Sequence, residues 1–353
     1  MRKCPECGVP RRLTKAHRWM DNGTILESGS STHRMVFGEC DNVSGVFTRI
    51  EETLGLPIDR FINESVGRLT YEYVNNVVPG VVIKLFRMTS LRPLAKSVTS
   101  LGRVIGLGDV ELLSMRIKGD EGDYVKIGGR NLYYLPAYCG MVAGAMEALS
   151  GQECSVTYEE TSPGYYEVTT HVSTHPKELK ERFEWPEYAR KPGNLKLERC
   201  RKCGGPKELS AYEWLIDDGI ILARADGRRM LIDGPAETDA IFRELERELG
   251  EDIPRVIIAA QRDFVKSGTH SPDEVCDYET FQRNLAFRGL GNLRELEWGT
   301  ESLRVSIENP CMQLLLVGLA QGLFELAQGR DSDVDWRLAE DGDLFVEVRT
   351  VPA

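Results

Sequence analysis

The sequence predicts an α+β protein made of two duplicated domains, each with a zinc knuckle, a β-hairpin, helices and an antiparallel sheet. Three observations carry this prediction. Blocks of residues recur in one order along the chain, strand-like segments come in pairs joined by short turns, and helix-like segments follow those pairs instead of separating single strands. Paired strands with helices to one side are typical of an α+β fold and argue against a doubly wound parallel sheet.

Length and composition indicate a folded protein of two domains. The chain has 353 residues, of which 41% are hydrophobic and 28% are charged. No apolar run approaches the roughly 20 residues that span a bilayer, and a cysteine pair follows the basic start where a secretory signal has its apolar core. We therefore expect a cytoplasmic protein. Its net charge of −11 argues against a general nucleic-acid binder and leaves room only for a local basic patch, so no nucleic-acid partner is expected.

The repeated blocks define the domain boundaries. Residues 4–10, CPECGVP, are answered by residues 200–206, CRKCGGP, and the segment DNGTIL at 21–26 by DDGIIL at 217–222. Two more pairs follow in the same order: GLG at 106–108 and 289–291, and GMVAGAMEALSG at 140–151 with GLAQGLFELAQG at 318–329. The order predicts a first domain over 1–176, a charged linker over 177–195 and a second domain over 196–353.

Each copy is predicted to contain the same elements in the same order. Asp-Asn-Gly and Asp-Asp-Gly favour tight turns, so 17–26 with 33–37, and 212–223 with 229–232, are predicted as hairpins. Apolar spacing predicts a helix over 44–54, and a second one from a cap at Thr238 or Asp239 to Gly250. Two strands, a helix and a closing hairpin complete each copy: 112–117, 124–127, 135–149, 155–159 and 165–172, then 293–298, 303–307, 310–327, 334–338 and 344–349.

The two cysteine pairs are the strongest chemical signal. In a CxxCG loop, two intervening residues let both sulfurs face one ion, and the glycine permits the tight turn that follows. One such knuckle supplies two ligands, whereas a structural zinc site needs four. We therefore predict one zinc ion bound by Cys4, Cys7, Cys200 and Cys203, which would hold the two copies together. Completion of the site across a homodimer, and idle or redox-active thiols, are the alternatives.

The second half of each copy resembles a known family. The helix with small residues at every fourth position, followed by GQECSVTYEE at 151–160 and the aromatic strand YYEV at 165–168, resembles the 4-vinyl-reductase-like domain of the predicted hydrocarbon-binding proteins. That family is related to the haem nitric-oxide-sensing fold and to subunits of the TRAPP transport particle. The resemblance covers about the last 70 residues of each copy, with the second copy more diverged. It implies a pocket for a small apolar ligand between the helices and the sheet.

The resemblance and the cysteines together predict a zinc-containing binding protein. Its ligand would be a hydrophobic small molecule or lipid held for sensing or delivery, with a protein partner to receive any signal. The expected pocket residues, each also suited to an ordinary core, are Tyr134, Tyr138, Met141, Met146, Met312, Leu315, Leu319 and Phe324. An enzyme of tetrapyrrole or isoprenoid metabolism and a non-catalytic assembly adaptor are the alternatives. The sequence shows no nucleophile beside a base and no cofactor loop, which argues against an enzyme.

One segment of the first copy differs from its counterpart in charge. Residues 73–108 contain no acidic residue, while Lys84, Arg87, Arg92, Lys96 and Arg103 alternate with apolar residues. Such a segment suits either peripheral contact with an anionic membrane surface or a helix with a solvated basic face and a core-facing apolar side. Both interpretations remain open from the sequence.

Overall fold

The computed structural model describes residues 1–77, 92–173, 185–271 and 277–351. Its helices in these ranges are α1 (Arg11–Ala16), α2 (Cys40–Leu54), α3 (Asp59–Val77), α4 (Arg92–Ile105), α5 (Leu135–Ser150), α6 (Pro235–Leu249), α7 (Ile253–Phe264), α8 (Tyr278–Arg288) and α9 (Gln313–Gln328). The strands are β1 (His17–Trp19), β2 (Ile25–Glu27), β3 (Arg34–Glu39), β4 (Asp109–Arg116), β5 (Tyr124–Arg130), β6 (Cys154–Ser162), β7 (Tyr165–Val172), β8 (Tyr212–Leu215), β9 (Ile220–Ala223), β10 (Arg229–Asp233), β11 (Asn292–Trp298), β12 (Ser302–Glu308), β13 (Ser332–Leu338) and β14 (Leu344–Thr350).

The described residues form two compact units, and each unit combines segments from both predicted domains. Unit 1 contains residues 57–185 and 212–231 together with Met1, and unit 2 contains residues 2–56, 186–211 and 232–353. The hairpin after the first cysteine pair therefore lies with the second half of the second copy, in unit 2. The hairpin after the second pair lies mostly with the second half of the first copy, in unit 1. The predicted boundaries at 177 and 195 do not coincide with the boundaries of these units, and the two-repeat organisation stays a prediction.

A four-stranded antiparallel sheet in the order β4-β5-β7-β6 is the framework of unit 1. Alternate side chains of these strands point to one face, where they meet α5. The buried core between sheet and helix includes Val110, Ile127, Tyr138, Met146 and Val168. Burial of this apolar surface is the main favourable contribution to the folding of the unit.

Glycines permit a close crossing of α3 and α5 in unit 1. A Cβ atom placed on Gly144 would lie 1.9 Å from the carbonyl oxygen of Gly67, and one placed on Gly140 would lie 2.5 Å from that of Asn63. Real Cβ atoms do not approach a backbone oxygen so closely, since interiors are close-packed. The small residues that suggested a resemblance in the sequence therefore serve helix packing here.

Unit 2 has the same architecture around a sheet in the order β11-β12-β14-β13. Helix α9 covers one face, and the buried core includes Leu293, Val305, Leu323, Phe324 and Val346. Helix α7 crosses α9 at Gly318, where a Cβ atom would lie 2.6 Å from the carbonyl oxygen of Ile258. The predicted mixture of helices with antiparallel sheets is confirmed at this level of detail.

The hairpin of each repeat makes a matching contact with a later segment of the other repeat. The Trp19 Nε1 atom donates to the Phe287 carbonyl at 2.9 Å in unit 2, and the Trp214 Nε1 atom donates to the Val104 carbonyl at 3.2 Å in unit 1. The two tryptophans are one residue out of step in the aligned sequence but equivalent in strand register, since Trp19 pairs with Ile25 and Trp214 pairs with Ile221. Each hydrogen bond thus joins the hairpin of one repeat to a later segment of the other repeat.

A second pair of matching contacts involves the tight turns. The Gly291 amide donates to the Gly23 carbonyl at 3.1 Å in unit 2, and the Gly108 amide donates to the Gly219 carbonyl at 3.1 Å in unit 1. The Gly23 and Gly219 backbones have φ angles of 76° and 64°, which favour glycine. A Cβ on either residue would overlap the opposing backbone.

The described part of the predicted linker, residues 186–195, is packed into unit 2. The Tyr188 hydroxyl donates to Asp239 Oδ2 at 2.7 Å, and the Lys191 amide donates to Asn309 Oδ1 at 2.6 Å. The Leu195 amide donates to the Asp21 carbonyl at 2.8 Å. Hydrogen bonds of this kind tie the segment down, whereas a free linker would leave its polar groups to water.

Several helices differ from the sequence prediction. The sequence patterns predict no helix at α3 or α7. In α7 the proline lies in the first turn, where no hydrogen bond of the helix is lost. Helix α6 begins at Pro235, earlier than the predicted cap at Thr238 or Asp239, because the proline suits the first helical position. Helix α9 begins at Gln313, since Met312 before it has a left-handed backbone with φ 52°.

Candidate functional site

The structure brings together the four cysteines that the sequence singled out. The Sγ atoms of Cys4, Cys7, Cys200 and Cys203 all lie within 4.8 Å of one another. Cys4 Sγ lies 3.7 Å from Cys200 Sγ, and Cys7 Sγ lies 3.5 Å from Cys203 Sγ. Cys4 and Cys200 are buried, while Cys7 and Cys203 are partly exposed. The cluster is therefore reachable from solvent on one side and enclosed on the other.

The two cysteine loops have the same backbone geometry. In the first, the Gly8 amide donates to the Cys4 carbonyl at 2.9 Å, and in the second the Gly204 amide donates to the Cys200 carbonyl at 2.9 Å. Gly8 and Gly204 have φ angles of 73° and 74°. This left-handed conformation is accessible to glycine at little cost, which explains the glycine after each pair. Each loop thus holds its two sulfurs on one side.

The protonation of the cluster differs from that of ordinary thiols. Burial raises the pKa of the Cys4 thiol, but hydrogen bonds from the backbone of Cys7 and Glu6 outweigh it and bring the pKa to about 7. Burial raises the pKa of Cys7 and of Cys203. Four thiolates at these distances would repel one another strongly, so the cluster holds several protons unless a cation replaces them.

The donor set fits a structural zinc ion. Zinc binds four thiolates tetrahedrally at about 2.3 Å, which places the sulfurs of a site about 3.8 Å apart. The separations of 3.7 Å and 3.5 Å lie close to that value. Four sulfur ligands also leave no open position for a substrate, as is typical of sites that stabilise a fold. The four cysteines can hold a metal ion of this kind.

All four cysteines belong to unit 2. Residues 2–56 and 186–211, which contain the two pairs, are both part of that unit. A metal ion at this position would join the N-terminal segments of the two repeats within one compact unit. The predicted zinc ion would therefore connect the two sequence repeats, and both of its ligand pairs would lie in one compact unit.

The other described cysteines are buried. Burial raises the pKa of Cys139 and of Cys311 to about 12, so both remain protonated thiols at neutral pH. Cys40 and Cys154 are also buried. Such cysteines behave as small hydrophobic residues. Cys276 lies outside the described residues.

The first set of predicted pocket residues lies on α5 and at its start. Tyr138 and Met146 are buried in the core of unit 1, and burial raises the pKa of the Tyr138 hydroxyl. Tyr134 and Met141 are half-buried. All four lie on this helix or at its start. Such positions suit either a core or a pocket wall, so their contact with a ligand stays a prediction.

In unit 2, one predicted residue lines a small, partly open cavity. Leu319 on α9 borders a cavity of about 30 Å³ together with Phe281, Leu285, Leu290 and Leu323. The predicted residues Met312, Leu315 and Phe324 are buried nearby in the helix and core. A volume of this size holds one or two water molecules. A larger ligand would enter only if the lining side chains moved.

Polar side chains that the sequence analysis missed complete this cavity. His270, Asn284 and Arg288 line it, and the buried carboxylate of Glu39 lies behind two of them. Glu39 accepts a hydrogen bond from Arg288 Nη2 at 2.6 Å and lies 3.4 Å from His270 Nε2. Glu39 and Arg288 are 249 residues apart and come from different repeats, so no local pattern could indicate the pair.

A wider depression of about 430 Å³ lies on the outer face of the unit 2 sheet. Its wall is dominated by charged side chains, including Glu295, Arg304, Asp335 and Glu347, with Phe345 and the stacked Arg337 guanidinium 4.1 Å from its ring centre. Arg304 forms ion pairs with Glu297 and Glu347. A charged, open surface of this kind does not suit the hydrophobic ligand predicted from the sequence.

The basic segment of the first copy is only partly described. Residues 78–91, which include Lys84 and Arg87, lie outside the described residues, so the structure gives no outcome for the predicted membrane contact. Helix α4 contains Arg92, Lys96 and Arg103, and Arg103 forms an ion pair with Asp109 at 2.6 Å. Among the helices of the described ranges, none combines the length and hydropathy that a membrane crossing needs.

Comparisons with known proteins give only distant structural likenesses. No protein-family model and no curated protein matches the chain. The phenol-responsive sensory domain of the transcription activator PoxR, solved with phenol, is 14% identical with a TM-score of 0.35, over 48% of this chain and 94% of that chain. A mutant Cs H-NOX and an H-NOX mutant of T. tengcongensis are each 12% identical with a TM-score of 0.25, over 34% of this chain and 75% of theirs. Scores this low carry no argument, and the resemblance to the 4-vinyl-reductase-like domain stays a prediction.

Proposed function

We propose that the chain is a duplicated, zinc-containing cytoplasmic protein that binds a small hydrophobic molecule and has no catalytic activity of its own. The cluster of four sulfurs within 4.8 Å carries the zinc assignment. Zinc held there would stabilise unit 2 because ligands brought together by folding make metal affinity part of the folding free energy. The matching tryptophan and glycine contacts of the two hairpins support the duplication.

The cavity of unit 2 supports the ligand-binding part of the proposal. Five apolar side chains and three polar ones line it, which is the usual composition of a small-molecule site. Glu39 accepts a hydrogen bond from Arg288 and lies 3.4 Å from His270 Nε2, so a buried carboxylate lies beside two of the three polar side chains that line the cavity. The proposed ligand class is a compact apolar ring or chain with one hydroxyl or carbonyl oxygen, which would enter as the lining side chains move apart. A protein partner and a sensing or delivery role remain parts of the proposal that depend on ligand binding.

Benzene and phenol test this site because they share a ring and differ by one hydroxyl group. Ligand-observed NMR titration of the purified protein measures both dissociation constants. We expect phenol to bind at least about fivefold more tightly, the equivalent of about one hydrogen bond. The variant His270→Leu should reduce this preference, since it removes a polar group and leaves the apolar wall intact.

A filled cavity provides the second arm of the test. The variant Leu319→Trp places an indole in the cavity and should abolish binding of both compounds. Leu326→Trp is the matched control, because Leu326 is also half-buried on α9 and does not line the cavity. Equal binding by both tryptophan variants, or none by the unmodified protein, would show that the cavity is ordinary core and would favour the assembly-adaptor alternative.

A further inference from the structure

Basic residues are concentrated around the four cysteines. We define the knuckle lobe as residues 2–18 and 196–207, the two segments that contain the cysteine pairs. These segments hold eleven basic and two acidic residues, a net charge of +9, in a chain whose total is −11. The rest of the chain therefore carries −20. Even with four thiolates and one zinc ion the lobe would keep a charge of about +7.

The geometry of the cysteine cluster brings these charges close together. Arg201 and Lys202 lie between Cys200 and Cys203, and Arg2 is two residues before Cys4. The Arg11 amide donates to the Arg2 carbonyl at 3.1 Å, which places the start of α1 beside the first cysteine loop. All eleven basic residues except Arg12 are exposed. The two segments therefore form one exposed basic surface.

Much of this charge has no internal counter-charge. Lys207 pairs with Glu198 at 2.8 Å, and Arg18 and Arg199 donate to backbone carbonyls. In the ranges that the structure covers, six side chains of the lobe form no ion pair: Arg2, Arg11, Lys15, Lys196, Arg201 and Lys202. Their mutual repulsion is unfavourable and is relieved when an external polyanion supplies the missing negative charge.

The composition of the lobe distinguishes between polyanions. Proteins that hold single-stranded nucleic acid stack bases on aromatic rings, and the lobe contains no Phe, Tyr or Trp. Surfaces that insert into membranes expose large apolar side chains, whereas Val9 and Leu13 in the lobe and Leu209 beside it are fully buried. Duplex DNA needs only exposed Arg and Lys side chains, because its phosphates are evenly spaced along a rigid rod.

We propose that the knuckle lobe binds the phosphate backbone of duplex DNA without reading its base sequence. The expectation drawn from the net charge, that no nucleic acid binds, applies to the average over the whole surface. At physiological salt the Debye length is about 8 Å, so acidic residues farther away are largely screened from a strand lying on the lobe. This inference does not depend on the cavity or its ligand.

Fluorescence anisotropy with a labelled 20-base-pair duplex of mixed sequence tests the proposal on the full-length, zinc-loaded protein. Six phosphate contacts would give a slope of about 5 in a plot of log Kd against log salt concentration. The variant Arg11→Gln/Lys15→Gln/Arg201→Gln should lower that slope to about 3 and weaken binding more than about tenfold at 50 mM NaCl. A duplex of different sequence should bind equally well.

A control variant with the same net charge distinguishes the effect of the lobe from the effect of overall charge. Lys118, Arg255 and Arg330 are exposed basic residues outside the lobe, and their triple Gln variant should bind DNA as the unmodified protein does. Equal weakening by both triple variants would overturn the proposal, as would the absence of binding at 50 mM NaCl. Stronger binding to single-stranded RNA, or to phosphatidylserine vesicles at equal phosphate concentration, would overturn it in favour of those partners.

Discussion

Cys7 and Cys203 determine how zinc binding depends on pH. Burial raises the pKa of both thiols, so both carry protons at pH 7, whereas a zinc-bound cysteine is a thiolate. Zinc binding should therefore release protons, and the affinity for zinc should rise with increasing pH. Calorimetric titration of chelator-treated protein with zinc at pH 7, in buffers of different ionisation enthalpy, measures the number of protons released. We expect at least about two protons per zinc ion, from Cys7 and Cys203; release of fewer than one would contradict four-thiolate ligation.

Cys200 and Cys139 offer a matched comparison between a ligand and a core residue. Both are buried, but only Cys200 has three other sulfurs within 4.8 Å. Cys200→Ala should reduce the zinc content to below about 0.2 ions per chain and the free energy of unfolding by at least about 3 kcal/mol. Metal analysis and urea denaturation measure these two quantities. Cys139→Ala should keep one zinc ion, and similar zinc loss in both variants would indicate general misfolding.

Among single residues, the four-cysteine cluster is the part that the sequence could predict. The CxxCG spacing is local, and its repetition supplied the number of ligands that a closed zinc site needs. The Glu39, His270 and Arg288 group lacks any such signal, since its members come from distant segments and have common residue types. The basic lobe was not predicted either, because the net charge of the whole chain combines its basic residues with the acidic residues of the remainder.

At the scale of elements, the crossing of α3 and α5 depends on backbone contact. Because a Cβ at Gly144 would overlap the Gly67 carbonyl oxygen, Gly144→Ala should force the helices apart and lower the free energy of unfolding by at least about 2 kcal/mol. Gly102→Ala on α4 is the control. Its Cβ would have its nearest neighbour at 3.6 Å, so it should be neutral or stabilise by up to about 1 kcal/mol.

Denaturant unfolding of the two variants decides this point. A Gly144→Ala protein as stable as the unmodified one would show that the two helices do not cross as closely as described. Destabilisation by Gly102→Ala comparable to that by Gly144→Ala would attribute both effects to something other than helix contact.

Strands and turns were predicted better than helices. Hairpins β1 to β3 and β8 to β10 follow from Asp-Gly turns and alternation, both of which are local features. Helices α3 and α7 start beside prolines, which interrupt the apolar pattern although they are tolerated in a first turn. The early start of α6 at Pro235 has the same cause, whereas Asp239, one of the two expected caps, instead accepts hydrogen bonds from Tyr188 and Met312.

At the scale of the whole molecule, the exchange of hairpins between repeats could not be predicted. The contacts of Trp19 and Trp214 match, so either hairpin has the same partners available on either body. Local sequence does not distinguish between two pairings that make such matching contacts. In the described part of the connection, Tyr188 and Lys191 bind residues 186–195 to unit 2.

The exchange predicts that neither repeat completes a compact unit by itself. Unit 2 needs residues 2–56 from the first repeat, and unit 1 needs residues 212–231 from the second. Fragments 1–180 and 181–353 should therefore be insoluble or unfolded when they are expressed separately. When they are co-expressed, they should assemble, since every contact that the units need is present.

Native mass spectrometry of the co-expressed fragments tests both the exchange of hairpins and the shared zinc ion, because it reports assembly and metal content in one spectrum. We expect a single complex that contains one copy of each fragment and one zinc ion. Fragments that remain separate and folded, or that each carry their own zinc ion, would contradict this expectation.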